Sequence, residues 1–226
     1  MTPKIEKVKQ ILLEKSSVKQ LAYRQTKESF AVLRESVKQI AVVLNQEVAK
    51  SDPTVEIKYY EKSDYEFHLK FSGDTLVFMM HTNVFDFDST HFIHQMPYVK
   101  TDPSREFCGM IQIYNFLADS IKYNREGDVG YLVGRLFINK DQHFFIDGNR
   151  PLSFMFSNFA ENQIGEQNMS DLVTECMQFC LHYDLMAPPI EAVFHLTVEQ
   201  KNIMSYSSGI PTSKAMGFRM ESDEKK

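Results

Sequence analysis

The chain has 226 residues, of which 43% are hydrophobic and 24% are charged. This length and composition are typical of a globular protein with a sizeable core, and they exclude a disordered chain or a small scaffold that depends on disulfides. The net charge of −5 conceals two parts of opposite sign: residues 1–50 carry ten Lys and Arg against five Asp and Glu, and residues 51–199 carry ten against twenty-two. We therefore expect a basic arm joined to an acidic body.

Residues 1–52 are predicted to form a basic helical arm in two pieces. Thr2 followed by Pro3 is typical of a helix start, and the spacing from Ser17 to Gln20 is that of a capping box, which predicts an interruption near Ser17. Apolar residues then recur on a seven-residue repeat, which we call the heptad seam: Tyr23, Phe30, Leu33, Val37, Ile40 and Leu44. Three heptads predict either self-association, as in a short coiled-coil homodimer, or packing on the chain's own body.

Residues 53–200 are predicted to form an acidic α+β domain with a mainly antiparallel sheet and helices packed outside it. Apolar and polar residues alternate over residues 55–60 and 65–71, an apolar run follows from Leu76 to Met80, and turn residues divide residues 129–149 into a hairpin. The connections are too short for parallel crossovers, so the strands pair antiparallel. Residues 107–123 fit a strand that ends in a helical piece, whereas residues 81–105 favour no single structure.

The remainder of the chain is predicted to add a helix, one more strand and a tail. Ser170 is placed to cap the helix, and the alternation over residues 190–196 predicts the strand. Thr197 to Gln200 has the spacing of a second capping box, for a short helix. Residues 201–226, rich in Ser and charge towards the end, are expected to be a tail that is partly ordered at most.

A group of acidic and histidine residues is the densest candidate for a metal site. Asp86 and Asp88 alternate onto one side of an extended segment, and His91 and His94 are spaced to share a helix face. Carboxylate and imidazole ligands suit a divalent transition metal such as Zn²⁺, Mn²⁺ or Fe²⁺. The spacing matches no established motif, so the alternative is an ordinary loop whose aspartates cap turns.

Arg135 is the candidate ligand-binding residue. It is followed by Leu136 and Phe137 in a predicted strand, and a charged residue there pairs with a carboxylate, reaches solvent or faces a ligand pocket. Pairing or exposure is the favoured interpretation.

The sequence favours a non-enzymatic binding or regulatory module that recognises a small ligand or a protein, with the arm used for self-association or docking. One alternative is a metal-dependent hydrolase using the Asp/His cluster, and another is an accessory protein of a nucleic-acid machine contacted through the arm. Nucleic acid is not favoured, because acidic residues interleave with the basic ones. No segment predicts a membrane span or a signal peptide, so a cytoplasmic protein without a cofactor is expected.

Overall fold

The computed structural model describes residues 2–187 and 189–206, and it begins with one long helix. This helix has three consecutive parts: α1 (Pro3–Ile11), a π-helical segment (Leu12–Ser16) and α2 (Ser17–Ala49). The backbone at Ser16 and Ser17 stays in the right-handed helical region, and no side chain caps α2 at Ser16. The interruption expected near Ser17 is therefore a π-helical segment within a continuous helix.

Six antiparallel strands follow and form a single sheet in the order β1-β2-β3-β4-β5-β6, so that each strand pairs with its neighbour in the chain. The strands are β1 (Ile57–Ser63), β2 (Glu66–Phe71), β3 (Asp74–Phe85), β4 (Cys108–Leu117), β5 (Tyr131–Ile138) and β6 (Phe144–Gly148). The predicted α+β class with an antiparallel sheet is confirmed.

Short helices connect the strands and complete the chain. The α-helices are α3 (Pro97–Thr101), α4 (Ala118–Lys122), α5 (Arg150–Met155), α6 (Glu166–Leu181), α7 (Ile190–Val193) and α8 (Val198–Tyr206), and the 3₁₀ helices are Phe92–Gln95 and Pro103–Glu106. The strand with a helical end expected over residues 107–123 is confirmed as β4 followed by α4.

The inner face of the sheet is covered by α2 and α6, which also contact each other. Side chains at alternate positions of every strand point to one face, which gives the sheet an apolar inner surface. Phe67 of β2 is fully buried there, with its ring centroid 4.8 Å from those of Phe30 on α2 and Phe78 on β3. These rings form the centre of the main core.

The heptad seam of α2 belongs to this core. Phe30, Leu33 and Val37 are at most 1% exposed, and the other three seam residues are partly buried against the same core. The chain's own sheet therefore covers the seam, and the side chains of Phe30, Leu33 and Val37 are not accessible to a coiled-coil partner. The seam thus packs on the chain's own core, and self-association of the arm stays a prediction.

α2 approaches β4 most closely at Thr26 and Gly109. Thr26 occupies the polar core position of the seven-residue repeat, and its hydroxyl donates to the carbonyl of Ala22 at 2.7 Å. A Cβ added to Gly109 would overlap Thr26 Oγ1 and lie 2.8 Å from Thr26 Cβ and Cγ2. Two small residues thus set the distance between helix and sheet at this point.

The outer face of the sheet is covered only in part. Over β4, β5 and β6 it carries a second apolar group, the outer cluster: Ile93, Val99, Cys108, Met110, Phe137, Phe145 and Phe159. The segment between β3 and β4 supplies Ile93 and Val99, so this part of the chain covers one end of the outer face. The other end, over β1, β2 and β3, contains an open pocket.

The C-terminal part corrects two expectations. Residues 190–193 form α7 instead of a strand, and Ile190 and Phe194 are 67% and 70% exposed. The four alternating apolar residues in 190–196 do not exclude a short helix, and the outer edge of β6 is already occupied by the hydrogen bond from Phe144 N to Asn162 O. The helix expected to start at Ser170 begins at Glu166.

The second predicted capping box is confirmed. Thr197 N donates to Gln200 Oε1 at 2.9 Å, and Gln200 N donates to Thr197 Oγ1 at 3.1 Å, at the start of α8. The expected tail lies outside the described residues from 207 onward.

Candidate ligand-binding site

A pocket on the outer face of β1, β2 and β3 encloses about 670 Å³, a volume typical of small-molecule sites. Its floor is formed by outward-pointing residues of the sheet, and its walls come from the turn between β2 and β3, from α4 with the loop that follows it, and from Leu185 after α6. We call it the basic pocket.

His68 forms the floor and is only 4% exposed. It lies opposite Tyr60 on β1 and Val77 on β3, while its neighbours Phe67 and Leu69 point into the main core. Its Nε2 is 2.6 Å from a carboxylate oxygen of Glu66. Burial lowers the pKa of His68, and the hydrogen bond to Glu66 opposes that shift. The imidazole therefore favours its neutral form and can both donate and accept a hydrogen bond.

The depressed pKa of His68 predicts a stability that depends on pH. The unfolded imidazole, with a pKa near 6.5, binds a proton more readily than the folded one, so the free energy of unfolding falls as pH drops below about 6.5. His68→Gln removes this contribution. We expect the melting temperature of the variant to fall less than that of the wild type between pH 7.5 and 5.5. Equal pH dependence of the two proteins would contradict the lowered pKa.

The charge of the pocket is opposite to that of the body around it. Four of the ten basic residues in 51–199 line the pocket, but only two of the twenty-two acidic ones do. The charged lining residues are Lys62, Lys70, Lys122, Arg125, Glu56 and Asp119. An acidic protein thus presents a locally positive concave surface, which attracts anions.

The three lysines of the pocket differ in their ionic partners. A side-chain hydrogen bond with Tyr123 and the nearby charges of Asp119 and Glu56 raise the pKa of Lys122. Lys70 Nζ is 3.0 Å from Glu56, which also pairs with Lys58. Lys62 and Lys122, in contrast, form no salt bridge with any residue in the described ranges. These two ammonium groups, at the β1–β2 turn and on α4, are the strongest candidates for contact with a bound anion.

The pocket also has an apolar wall. Leu117 and Ala118, at the junction of β4 and α4, lie beside Ile121, and Leu185 completes the wall. Convergent charges beside an apolar surface suit a ligand with an anionic group and a hydrophobic part.

The two aspartates expected to bind metal serve the loop after β3. Asp88 Oδ1 accepts from Thr90 N at 2.9 Å and from Thr90 Oγ1 at 2.7 Å, and these hydrogen bonds lower the pKa of Asp88. Asp86 Oδ1 accepts from the backbone N–H of Phe87. Both carboxylates therefore stabilise local turns, as the alternative interpretation stated.

The two histidines of that group contact different residues. The ring of His91 stacks on Phe87 with centroids 4.5 Å apart, and burial lowers its pKa. His94 Nδ1 is 3.4 Å from Glu106 Oε2. Within residues 2–187 and 189–206, no three His, Cys, Asp or Glu side chains are grouped so that they could hold a metal ion. The geometry therefore gives the metal-dependent hydrolase no support.

Arg135 lies on the outer face but outside the basic pocket. It is paired across the sheet with Asp147 of β6, and their side chains form a salt bridge. Its guanidinium also lies 5.4 Å from the ring centroid of Phe137. Pairing, the favoured interpretation of this residue, accounts for its position in the strand.

The basic pocket was not predicted from the sequence. The only local signal is His68, a polar residue in the run from Phe67 to Leu69. The other side of the pocket, with Lys122 and Arg125, follows some fifty residues later and is brought near by the pairing of β3 with β4. The spacing of these residues along the chain does not predict that they lie close together in space.

In the part of the chain that the structure describes, no helix is both long and apolar enough to cross a membrane. No family model matches the chain, and no curated protein or solved structure was found to be similar to it.

Proposed function

We propose that the protein is a non-enzymatic binding module whose basic pocket takes a small amphipathic anion, such as an organic carboxylate or phosphate. The observation that carries the proposal is the reversal of charge: the pocket collects basic residues on a body that is otherwise strongly acidic. Such a contrast focuses the field inside the concave surface and raises the local concentration of anions.

The geometry supports specific roles for individual residues. Lys62 and Lys122 would contact the anionic group from opposite walls, and His68 would donate or accept a hydrogen bond from the floor. The hydrophobic part of the ligand would lie along Ile121 and Leu185. A regulatory role fits this arrangement, because Leu185 belongs to the segment after α6 and a bound ligand would contact both that segment and the sheet.

The proposal predicts that aryl anions bind and their neutral analogues do not. Isothermal titration of the full-length protein with phenyl phosphate and with phenylacetate, against benzyl alcohol as the neutral match, measures this directly. We expect Lys62→Gln and Lys122→Gln each to weaken binding by about tenfold, because each removes a charge-assisted hydrogen bond. The phosphate and carboxylate titrations show which anionic group is preferred.

A matched control is available on the same body. Lys100 is exposed and does not line the pocket, so Lys100→Gln makes the same change of charge at another site and should leave the affinity unchanged. Equal weakening by all three substitutions would mean that anions are attracted by the general charge of the protein. That result would refute the proposal that the basic pocket binds anions. Binding of benzyl alcohol as tight as that of the anions would refute it too.

A further inference from the structure

The first helical part of the chain carries an apolar surface that no other residue in the described ranges covers. Every residue from Thr2 to Lys15 is exposed, and α1 buries none of its side chains. The exposed fractions are 53% for Ile5, 55% for Val8, 50% for Ile11, 55% for Leu12 and 60% for Leu13. Ile5, Val8 and Leu12 have the i, i+3, i+7 spacing of one helix face, which we call the arm stripe.

The charges around the arm stripe are arranged by sign. Glu6, Gln10 and Glu14 follow an i, i+4, i+8 row on the side nearly opposite the stripe, and Gln10 Nε2 donates to Glu14 Oε1 at 2.9 Å. The four lysines of residues 2–16 lie outside that row: Lys4, Lys7, Lys9 and Lys15. On a helical wheel Lys4, Lys9 and Lys15 border the apolar stripe, whereas Lys7 lies on the far side together with both glutamates.

Among the residues that the structure describes, Phe107 of the body lies against this helix near the end of its first part. Lys15 and Lys19 lie over the ring of Phe107, with Nζ atoms 5.3 and 4.9 Å from its centroid. The pair of Lys9 and Glu6 is more than half exposed on both sides and holds the lysine weakly. The lysines before Lys15 are thus available to an outside surface.

The pattern argues against two other occupants. A second copy would need three or four heptads, but the positions that follow Leu12 at this spacing are Lys15 and Lys19, and the seam of α2 faces its own sheet. Nucleic acid would contact the lysines through phosphates and leave the apolar residues in water. An anionic lipid surface offers negative headgroups to the lysines and an apolar layer just below them to the arm stripe.

We propose that residues 3–16 lie in the plane of an anionic lipid surface, with the arm stripe in the acyl boundary and the lysines that border it at the headgroups. Helices of this kind bind through buried apolar area together with attraction to anionic lipid. The helix is about 21 Å long at 1.5 Å per residue, so it docks at the interface and does not span. This proposal is independent of the basic pocket.

The chain contains no tryptophan, so one substitution provides a clean reporter. Leu12→Trp places a single indole in the arm stripe, and Val43→Trp places one at an equally exposed position of α2, where valine is 58% exposed. With phosphatidylcholine vesicles containing phosphatidylglycerol, we expect a blue shift of emission for the first variant only. Vesicles of phosphatidylcholine alone should bind much more weakly, and salt should weaken the anionic binding.

Sedimentation with the same vesicles tests the stripe without a reporter. Ile5→Ala/Val8→Ala keeps a strong helix former at both positions while removing apolar area, so a loss of binding cannot be attributed to a melted helix. We expect this variant to bind at least about fivefold less than the wild type, and the matched control Val42→Ala/Val43→Ala to bind as the wild type does.

Three results would overturn the proposal. One is the absence of vesicle binding at low salt, and another is equal binding to neutral and anionic vesicles. The third is binding of poly-glutamate in preference to vesicles with the same dependence on Ile5 and Val8, which would indicate an acidic protein as the partner.

Discussion

Gly109→Ala is expected to destabilise the protein by about 3 kcal/mol, because overpacking of a rigid helix–sheet contact costs this much. The new Cβ would overlap the hydroxyl of Thr26 and lie 2.8 Å from two further atoms of that side chain. Thr26 is fully buried on α2, so it cannot rotate into solvent to make room. For a chain of this length the melting temperature should fall by roughly 6–12 °C, measured by circular dichroism.

The control for this substitution is Gly127→Ala. A Cβ at Gly127 has no atom within 4 Å, so the same change in composition should alter the melting temperature little. Thr26→Ala combined with Gly109→Ala should recover part of the loss, because it removes the overlapping oxygen and one of the two close carbons. A double variant that is additive, with no recovery, would show that the close approach is not the cause.

Leu33→Ala is expected to lower the free energy of unfolding by about 3 kcal/mol at every protein concentration. Leu33 is fully buried in the main core between α2 and the sheet, so the substitution leaves a cavity within one molecule. Val43→Ala on the same helix, at a position 58% exposed, should change stability by less than about 0.5 kcal/mol. Chemical denaturation of both variants gives these values.

The dependence on concentration separates the core from a coiled-coil seam. If the heptad seam were a dimer interface, the melting temperature of the wild type would rise with protein concentration and Leu33→Ala would lower the mass measured by light scattering. We expect neither effect. Either of them would mean that the seam contacts a second copy in solution.

Local patterns in the sequence predicted the strands well, because residues such as Phe67, Leu69 and Phe71 alternate strictly and a strand has a period of two. The seven-residue repeat of α2 likewise predicted its buried face. What the repeat could not specify is the surface that covers that face, since an apolar row packs equally well on a sheet or on another helix. The polar position Thr26 is explained only when Gly109, more than eighty residues later, lies against it.

The candidate site was less predictable than the fold. The cluster of Asp86, Asp88, His91 and His94 was conspicuous because its members are close in sequence. Each of them is nevertheless engaged in a local turn, a ring stack or a contact with a nearby carboxylate. The basic pocket combines residues of the first three strands with residues 117–125, and in the sequence its lysines are far apart and show no common pattern. The residues of the Asp/His cluster are close in sequence and form local turns and contacts. The residues of the basic pocket come together only through the pairing of the strands, which the sequence pattern did not specify.

The sequential order of the strands also has a consequence for how the chain folds. The β1–β2, β2–β3 and β5–β6 hairpins close short loops, and such local pairings are expected to form early because little chain entropy is lost before the first contacts are made. The contact between α2 and α6 joins segments more than a hundred residues apart, so it closes a much longer loop and is expected to form later. The long helix is synthesised first, but its apolar face is covered only after the last strands have been added.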